Sequence, residues 1–336
     1  MKTGIRKAGI VGLAVIAIIL FVCLFKNFGF DLYQIAPGQM EKTLLPGDRL
    51  LVNKWSYGLR LPQTPVSIPF CHDTIPGTHI PSWISWIKLP YARLNLSYPE
   101  RNDILVFNYP SSGNDLIPIE RKKIAVARCI GLPGDTITSI EKTLYINGKI
   151  LTPPPLSLIP ILSSDSNETT LLPALKANAI SEKYEKIKTD YLRLLTRYEL
   201  NKLTEYLHTD TLVKPVTLKK DNYSVILPVP GEETFITQEN IHFLGEILNR
   251  YENIQVTVRN NRLYRGNKEL QSYIFTQPYY WVLSDNRTSQ ADSRTFGVLP
   301  HSHLIGKGIA IGYSLDDEKT FWKSWRNERF FQKNGL

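Results

Sequence analysis

The first pattern along the chain is an uncharged apolar run, AGIVGLAVIAIILFVCLF, from Ala8 to Phe25. As an α-helix rising 1.5 Å per residue it would be roughly 27 Å long, close to the ~30 Å hydrocarbon core of a bilayer. It is longer than the apolar stretch of about 7–15 residues in a cleaved signal peptide. Bulky NFGFDLYQ follows where small residues would mark a cleavage site. The run therefore reads as a single uncleaved anchor. Lys2, Arg6 and Lys7 precede it and Lys26 follows, an asymmetry that predicts a cytoplasmic N-terminus and the remaining chain on the far side.

Beyond the anchor the apolar positions come in short β-type bursts broken by proline and glycine. RLLVNKW (49–55), DILVFNY (103–109) and the stretch Ile124 to Ile137 predict strands. TLYINGKIL (143–151) predicts a hairpin turning at Asn147-Gly148. IPSWISWIKLPYARL (80–94) offers Trp83, Trp86 and Tyr91 with Lys88 and Arg93, either for an interfacial membrane contact or as a packed loop. PPPLSLIPILSSDSN reads as a proline- and serine-rich linker. From 174 to 209, Tyr184, Ile187, Tyr191, Leu194, Tyr198 and Leu203 recur at mostly helical spacing. This predicts one or two amphipathic helices, packed on the main sheet or binding a partner. From Tyr223 to Tyr313 the strand pattern returns. The expected organisation is an anchor (1–27), a first β portion (28–150), a linker and helical insertion (151–222), a second β portion (223–316) and a tail (317–336).

Composition sharpens this only in part. The 22 prolines and 17 tyrosines among 336 residues favour a strand-rich body. The net charge of +9 is spread along the chain and is by itself poor evidence for nucleic-acid binding, and no nucleic-acid partner is expected. Three cysteines without a CxxC pair provide neither a disulfide framework nor a zinc site, and no metal or other cofactor is expected. His72, His301 and His303 lack metal-like spacing with carboxylates and read as structural or surface residues.

Four stretches carry the functional signal: APGQMEKTLLPGDRLLVNK (36–54), RNDILVFNYP (101–110), ARCIGLPGDTI (127–137) and SDNRTSQADSRTFGVLP (284–300). Each alone is a turn between strands, with carboxylates and guanidiniums placed for buried bidentate pairs. In this order, behind one N-terminal span, they resemble bacterial signal peptidase I in its long-insertion form. The resemblance covers nearly the whole chain. It implies a mainly β, antiparallel signal-peptidase-like body on a transmembrane helix, at the outer or periplasmic face of the cytoplasmic membrane. It also implies a serine–lysine endopeptidase acting on the signal peptides of preproteins.

The chemistry requires a serine hydroxyl, a neutral lysine amine to take its proton, and donors for the oxyanion. The family's first motif resembles Ser-Gly-Ser-Met-x-Pro-Thr-Leu, with the second serine as nucleophile. Here Gly38, Met40, Thr43 and Leu44 hold the register, so Gln39 stands at the nucleophile position. Pro37 stands where an oxyanion-donating serine is expected, and Lys42 where a proline is. Arg128 and GLPGD fix the lysine motif and leave Ala127 at the base position. Gln290 replaces a serine that would hydrogen-bond that lysine, and Ser284 replaces a glycine. The frame residues Asp285, Asn286, Arg287, Asp292, Ser293 and Arg294 are intact. Lys122 and Lys123 lie at least about 13 Å from Ala127 along a strand, too far to replace the base. The reading is an inactive homologue that binds signal peptides, preproteins, membrane lipid or an active paralogue. In it, Gln39 and Gln290 fill the vacated space in mutual contact. The alternatives are an active peptidase with a non-standard site, or a sheet kept as a platform for the insertion.

Overall fold

The computed structural model describes residues 29–35, 38–64, 78, 80, 82, 89–110, 117–140, 143–187, 189–208, 214–215, 222–289, 291–316, 319 and 324–333. The expected anchor lies outside the described residues, as do Pro37, Trp83, Trp86 and Gln290. Among the described residues no helix is long and apolar enough to cross a membrane.

Seven strands form the main sheet: β1 (Phe30–Gln34), β2 (Asp48–Asn53), β3 (Ile104–Asn108), β4 (Ile124–Gly131), β5 (Tyr279–Leu283), β6 (Leu299–Pro300) and β7 (Leu304–Ser314). Their order is β1-β2-β7-β3-β4-β5-β6, antiparallel throughout. The expectation of a mainly antiparallel β body is met.

Alternate side chains of a strand leave opposite faces, so a continuous apolar strand needs cover on both sides. All five residues of β3 are buried. Ile104 and Val106 join Val126, Leu50, Val52 and Met40 in one cluster. Leu105 and Phe107 join Ala127, Cys129, Tyr280, Val282 and Phe296 in another. Gly306 sits where β7 meets β2, and a Cβ there would come within 2.4 Å of the Asn53 carbonyl oxygen. The predicted hairpin pairs Thr143–Ile146 with Lys149–Ile150. Asn147 and Gly148 turn it at φ 51° and 75°, as a two-residue turn of this kind requires.

The insertion departs from expectation. Its proline- and serine-rich start is no linker: Leu158–Ser164 is a strand, and helix α1 (Asp165–Ala177) follows directly. Glu185–Ile187 and Asp190–Thr196 are strands rather than helix; among the described residues of 174–209 the helical ones are the end of α1 and Arg197–Leu207 (α2), which is one of the one or two helices expected. The four insertion strands, with Lys214–Pro215 at one edge, form their own sheet. What overrides the helical spacing is a buried ion pair with period-two burial. Arg193 and Leu195 point inward while Leu194 is exposed. Arg193 donates to both carboxylate oxygens of Glu168 on α1, at 2.7 and 2.6 Å, and to Ser163 at 2.9 Å. The α2 start is a capping box: Thr196 Oγ1 accepts from the Glu199 N–H, and Glu199 accepts from the Thr196 N–H.

The second β portion contains a helix that the strand pattern concealed, α3 (Ile241–Tyr251). Ile241, Leu244, Ile247 and Leu248 lie along one side of it and pack against Ile137, Leu227 and Trp281. That spacing was the available signal.

Candidate functional site

All four sequence stretches converge, and hydrogen bonds show how. Arg101 of the second bonds Asp135 of the third at 2.9 Å. The Asn102 carbonyl accepts from Arg128 Nη1 at 3.0 Å. Arg128 then grips Asp285 of the fourth through Nε at 3.0 Å and Nη2 at 2.7 Å. Thr43 of the first donates its hydroxyl to the same carboxylate at 2.8 Å. Met40 Sδ lies 3.4 Å from the Asp285 N–H. Asp285 and Arg128 are 1% and 6% exposed, so this bidentate pair is shut away from water. The local reason is that a guanidinium and a carboxylate, once desolvated, must find each other.

The rest of the frame is held in the same way. Asp292 accepts from the Ser284 N–H at 3.0 Å and from Arg294 Nη2 at 2.7 Å. Arg294 also donates to the carbonyls of Arg287 and Ser289. Ser293 Oγ accepts from the Val282 N–H at 2.9 Å, tying the turn to β5. Asn286 Oδ1 accepts from Thr288. Burial pulls the Arg287 guanidinium down to about 10, helped by Arg294 and partly offset by Asp285 and Asp292. It remains cationic at neutral pH.

Gln39 lies at the centre of this convergence. Its backbone carbonyl accepts from the Asn286 N–H at 3.2 Å. Its side-chain Oε1 accepts from the Val126 N–H at 3.0 Å. The register explains why that N–H is there to be taken. Cys129 N–H donates to Asp103 O and Tyr109 N–H donates to Lys123 O, so the N–H groups of odd-numbered β4 residues face β3. Those of Ile124, Val126 and Arg128 face the other side. There β5 pairs with β4 only at Arg128, Cys129 and Gly131. Val126 is past the end of that ladder, and the carboxamide of Gln39 caps it.

Ala127, beside Val126, is fully buried and belongs to the apolar cluster of Phe107, Tyr280 and Val282. The expected Gln39–Gln290 contact involves a residue outside the described set. What Gln39 does bond, Val126, was missed from sequence, as was the role of Thr43 on Asp285. Substitute nucleophiles are poorly placed. Burial pushes the Cys129 thiol up, which keeps it protonated. Ser284 is fully buried, and its hydroxyl has no partner among the described residues. His301 and His303 are buried rather than on the surface. Among the described residues no group of three His, Cys, Asp or Glu could hold a metal ion.

The insertion also reaches this site. Leu158 N–H donates to the Asp285 carbonyl at 2.9 Å, and Arg287 N–H donates to the Leu158 carbonyl at 3.1 Å.

Replacing Gln39 by alanine should leave the Val126 N–H inside the fold without its acceptor, at a cost of about 1–3 kcal/mol. Amide hydrogen exchange checks this: Val126 loses protection in Gln39→Ala, while Ala125 and Ala127, whose N–H groups face β3, keep theirs.

The model of the signal peptidase, peptidase S26 family matches residues 8–313. Signal peptidase I of Buchnera aphidicola subsp. Schizaphis graminum is 24% identical over 305 residues, covering 90% of this chain and 73% of that protein. Signal peptidase I of Pseudomonas aeruginosa is 31% identical over 135 residues, 40% of this chain and 36% of that one. A signal peptidase I crystal structure from Enterococcus faecalis aligns at 19% identity over 63% of this chain and 98% of that chain, with a TM-score of 0.22, too low to bear on the fold.

Proposed function

Given that the chain belongs to the signal peptidase family, peptidase S26, we propose that it is a member without peptidase activity, which keeps the family's frame and uses it to hold an extended peptide. The observation that carries this reading is the carboxamide of Gln39 on the Val126 N–H, beside a buried alanine. An amide does not attack an amide, and a methyl group takes no proton. Losing nucleophile and base together removes covalent catalysis and leaves only oxyanion and binding terms.

Lys42 supports the same conclusion. Its φ is 75°, whereas a proline ring holds φ near −65°. A proline, the residue of the motif that this stretch resembles, does not fit this backbone. The turn after Gln39 thus follows a course that the catalytic motif does not take.

In this reading the occupant is the extended part of a signal peptide, added as a strand at β4 next to Val126. It enters by displacing Gln39 Oε1 from the Val126 N–H. The apolar run 8–25 anchors the protein in the cytoplasmic membrane, with the β body on the outer face. Lipid or an active paralogue would be its neighbours there.

The test uses the full-length protein in detergent with a fluorescent preprotein fragment spanning the signal-peptide end. The expected result is saturable binding, with the fragment recovered at intact mass. Tighter binding by Gln39→Ala, which removes the cap, is expected as well. No binding by either protein would remove the peptide-holding role.

A further inference from the structure

Residues 324–332 return to the segment that carries Gln39. The Ser324 carbonyl accepts from the Asp316 N–H at 2.7 Å, and the Arg326 N–H donates to the Ser314 carbonyl at 3.1 Å. Further on, the Gln332 carbonyl accepts from the Ile311 N–H at 3.1 Å. Trp325 packs on Tyr313 and Phe330, with ring centroids 5.9 and 5.8 Å apart. These contacts lay the segment along the end of β7 and aim one guanidinium, that of Arg329, at the turns after Gln39.

Arg329 makes two attachments there. Its Nε and Nη2 donate to the two carboxylate oxygens of Asp48, at 3.1 and 2.6 Å. Nη2 also donates to the Thr43 carbonyl at 3.2 Å. The Asp48 side chain is fully buried and that of Arg329 is 15% exposed, so this bidentate pair is largely dry. Asp48 in turn accepts from the Leu45 N–H at 2.7 Å, closing the turn Leu45–Asp48. The turn before it is closed by the Leu44 N–H on the Met40 carbonyl, also at 2.7 Å. One guanidinium therefore bridges two consecutive turns.

From Gly38 to Gly47 the chain is neither helix nor strand. No ladder positions Gln39, so individual bonds must do so. Thr43 is held by Arg329 through its carbonyl and holds Asp285 through its hydroxyl at 2.8 Å. Gln39 lies one turn away, and its side chain reaches the Val126 N–H at 3.0 Å. A drift of about 0.5 Å would take that contact to the limit of a hydrogen bond.

We infer that Arg329 is a positioning residue, which keeps Gln39 Oε1 on the Val126 N–H by clamping Thr43 and Asp48, and that residues 324–332 thereby set how readily an extended peptide takes that N–H. The second part rests on the peptide-holding reading above; the first does not. The role asks for arginine in particular. A lysine would keep the charge opposite Asp48, but a single ammonium lacks the planar fork that spans a carboxylate and a neighbouring carbonyl. The peptide must displace the cap before it binds, so a looser cap means tighter apparent binding.

The experiment is amide hydrogen exchange of the full-length protein in detergent, unmodified and as Arg329→Lys. The expected result is exchange at Val126 faster by about tenfold or more, with Ala125 and Ala127 changed by less than about twofold. Arg326→Gln serves as control: Arg326 belongs to the same segment but bonds the Pro46 carbonyl and Asp316 instead, so Val126 should not respond. The fluorescent preprotein fragment should bind Arg329→Lys about threefold or more tighter than the unmodified protein. The double variant Gln39→Ala, Arg329→Lys should bind no tighter than Gln39→Ala, because both changes act through one cap. Unchanged Val126 exchange in Arg329→Lys would overturn the inference. So would equal acceleration at all three amides, or an equal effect of Arg326→Gln. A fragment that binds the unmodified protein and Arg329→Lys equally would overturn the link to peptide entry. Should the fragment bind none of these proteins, the peptide-holding reading falls, and Val126 exchange decides the role of Arg329 alone. Should Arg329→Lys fail to fold, the double variant Asp48→Asn, Arg329→Gln, which strands no buried charge, is read in the same way.

Discussion

Arg128→Ala is expected to destabilise the protein by about 3–5 kcal/mol, the usual consequence of leaving one member of a buried ion pair without the other. Asp285 would keep only the Thr43 hydroxyl among its three side-chain donors. The Asn102 carbonyl would lose its guanidinium as well. One side chain thus connects three of the four sequence stretches, so its loss should be felt globally. A fall in Tm of roughly 10 °C is expected for a body of this size. Asp285→Ala should cost a similar amount. A double-mutant cycle should then show strong coupling, because each single change already breaks the same pair. Additive effects would mean that the Arg128–Asp285 pair does not hold the frame.

Acid should weaken the fold through His301 and His303. Both are held down to about 3 by burial, opposed further by Arg93 at His301 and by Lys122 and Arg60 at His303. The unfolded chain takes up a proton near pH 6.5 and the folded one does not. The stabilising contribution is therefore complete above pH 6.5 and is lost as pH falls toward about 3. Each histidine contributes a slope of about 1.4 kcal/mol per pH unit within that window. Between pH 6 and 4.5 the pair should cost roughly 4 kcal/mol. Urea midpoints across this range measure it, with the double variant His301→Gln, His303→Gln as reference. The unmodified protein should fall more steeply. Parallel curves would show that the two rings are not held neutral by the fold.

Much of the main sheet was legible because its strands declare themselves locally. DILVFNY has no polar alternation, and both of its faces proved to be covered. Asn147-Gly148 carries its turn in its own backbone freedom. The convergence of the four stretches was legible as well, since Arg128, Asp285, Asp292 and Arg294 are residue types that must pair once buried.

Other parts were not legible, for reasons that lie outside local sequence. Ile187, Tyr191 and Leu194 are spaced as in a helix, yet the Glu168–Arg193 pair holds their segment as a strand. That pair joins residues 25 apart, which no window of helical periodicity sees. In α3 the apolar spacing was present but lay between strands that dominated the reading. Gln39 is the clearest case. Its identity showed that a nucleophile was absent. Its bond to Val126, 87 residues away, depends on where β5 stops pairing with β4. Likewise Lys42 gave no warning of its left-handed backbone, which follows from the turn that places Gln39 and Met40 against Asn286 and Asp285.

The most direct measurement is rapid acid quenching of the unmodified full-length protein during incubation with a preprotein, followed by intact-mass analysis of both. With a carboxamide at 39 and a methyl group at 127, the preprotein should stay whole and the protein should carry no acyl adduct at any time. A cleaved signal peptide, with an adduct that maps to a serine and vanishes when that serine is changed to alanine, would contradict it.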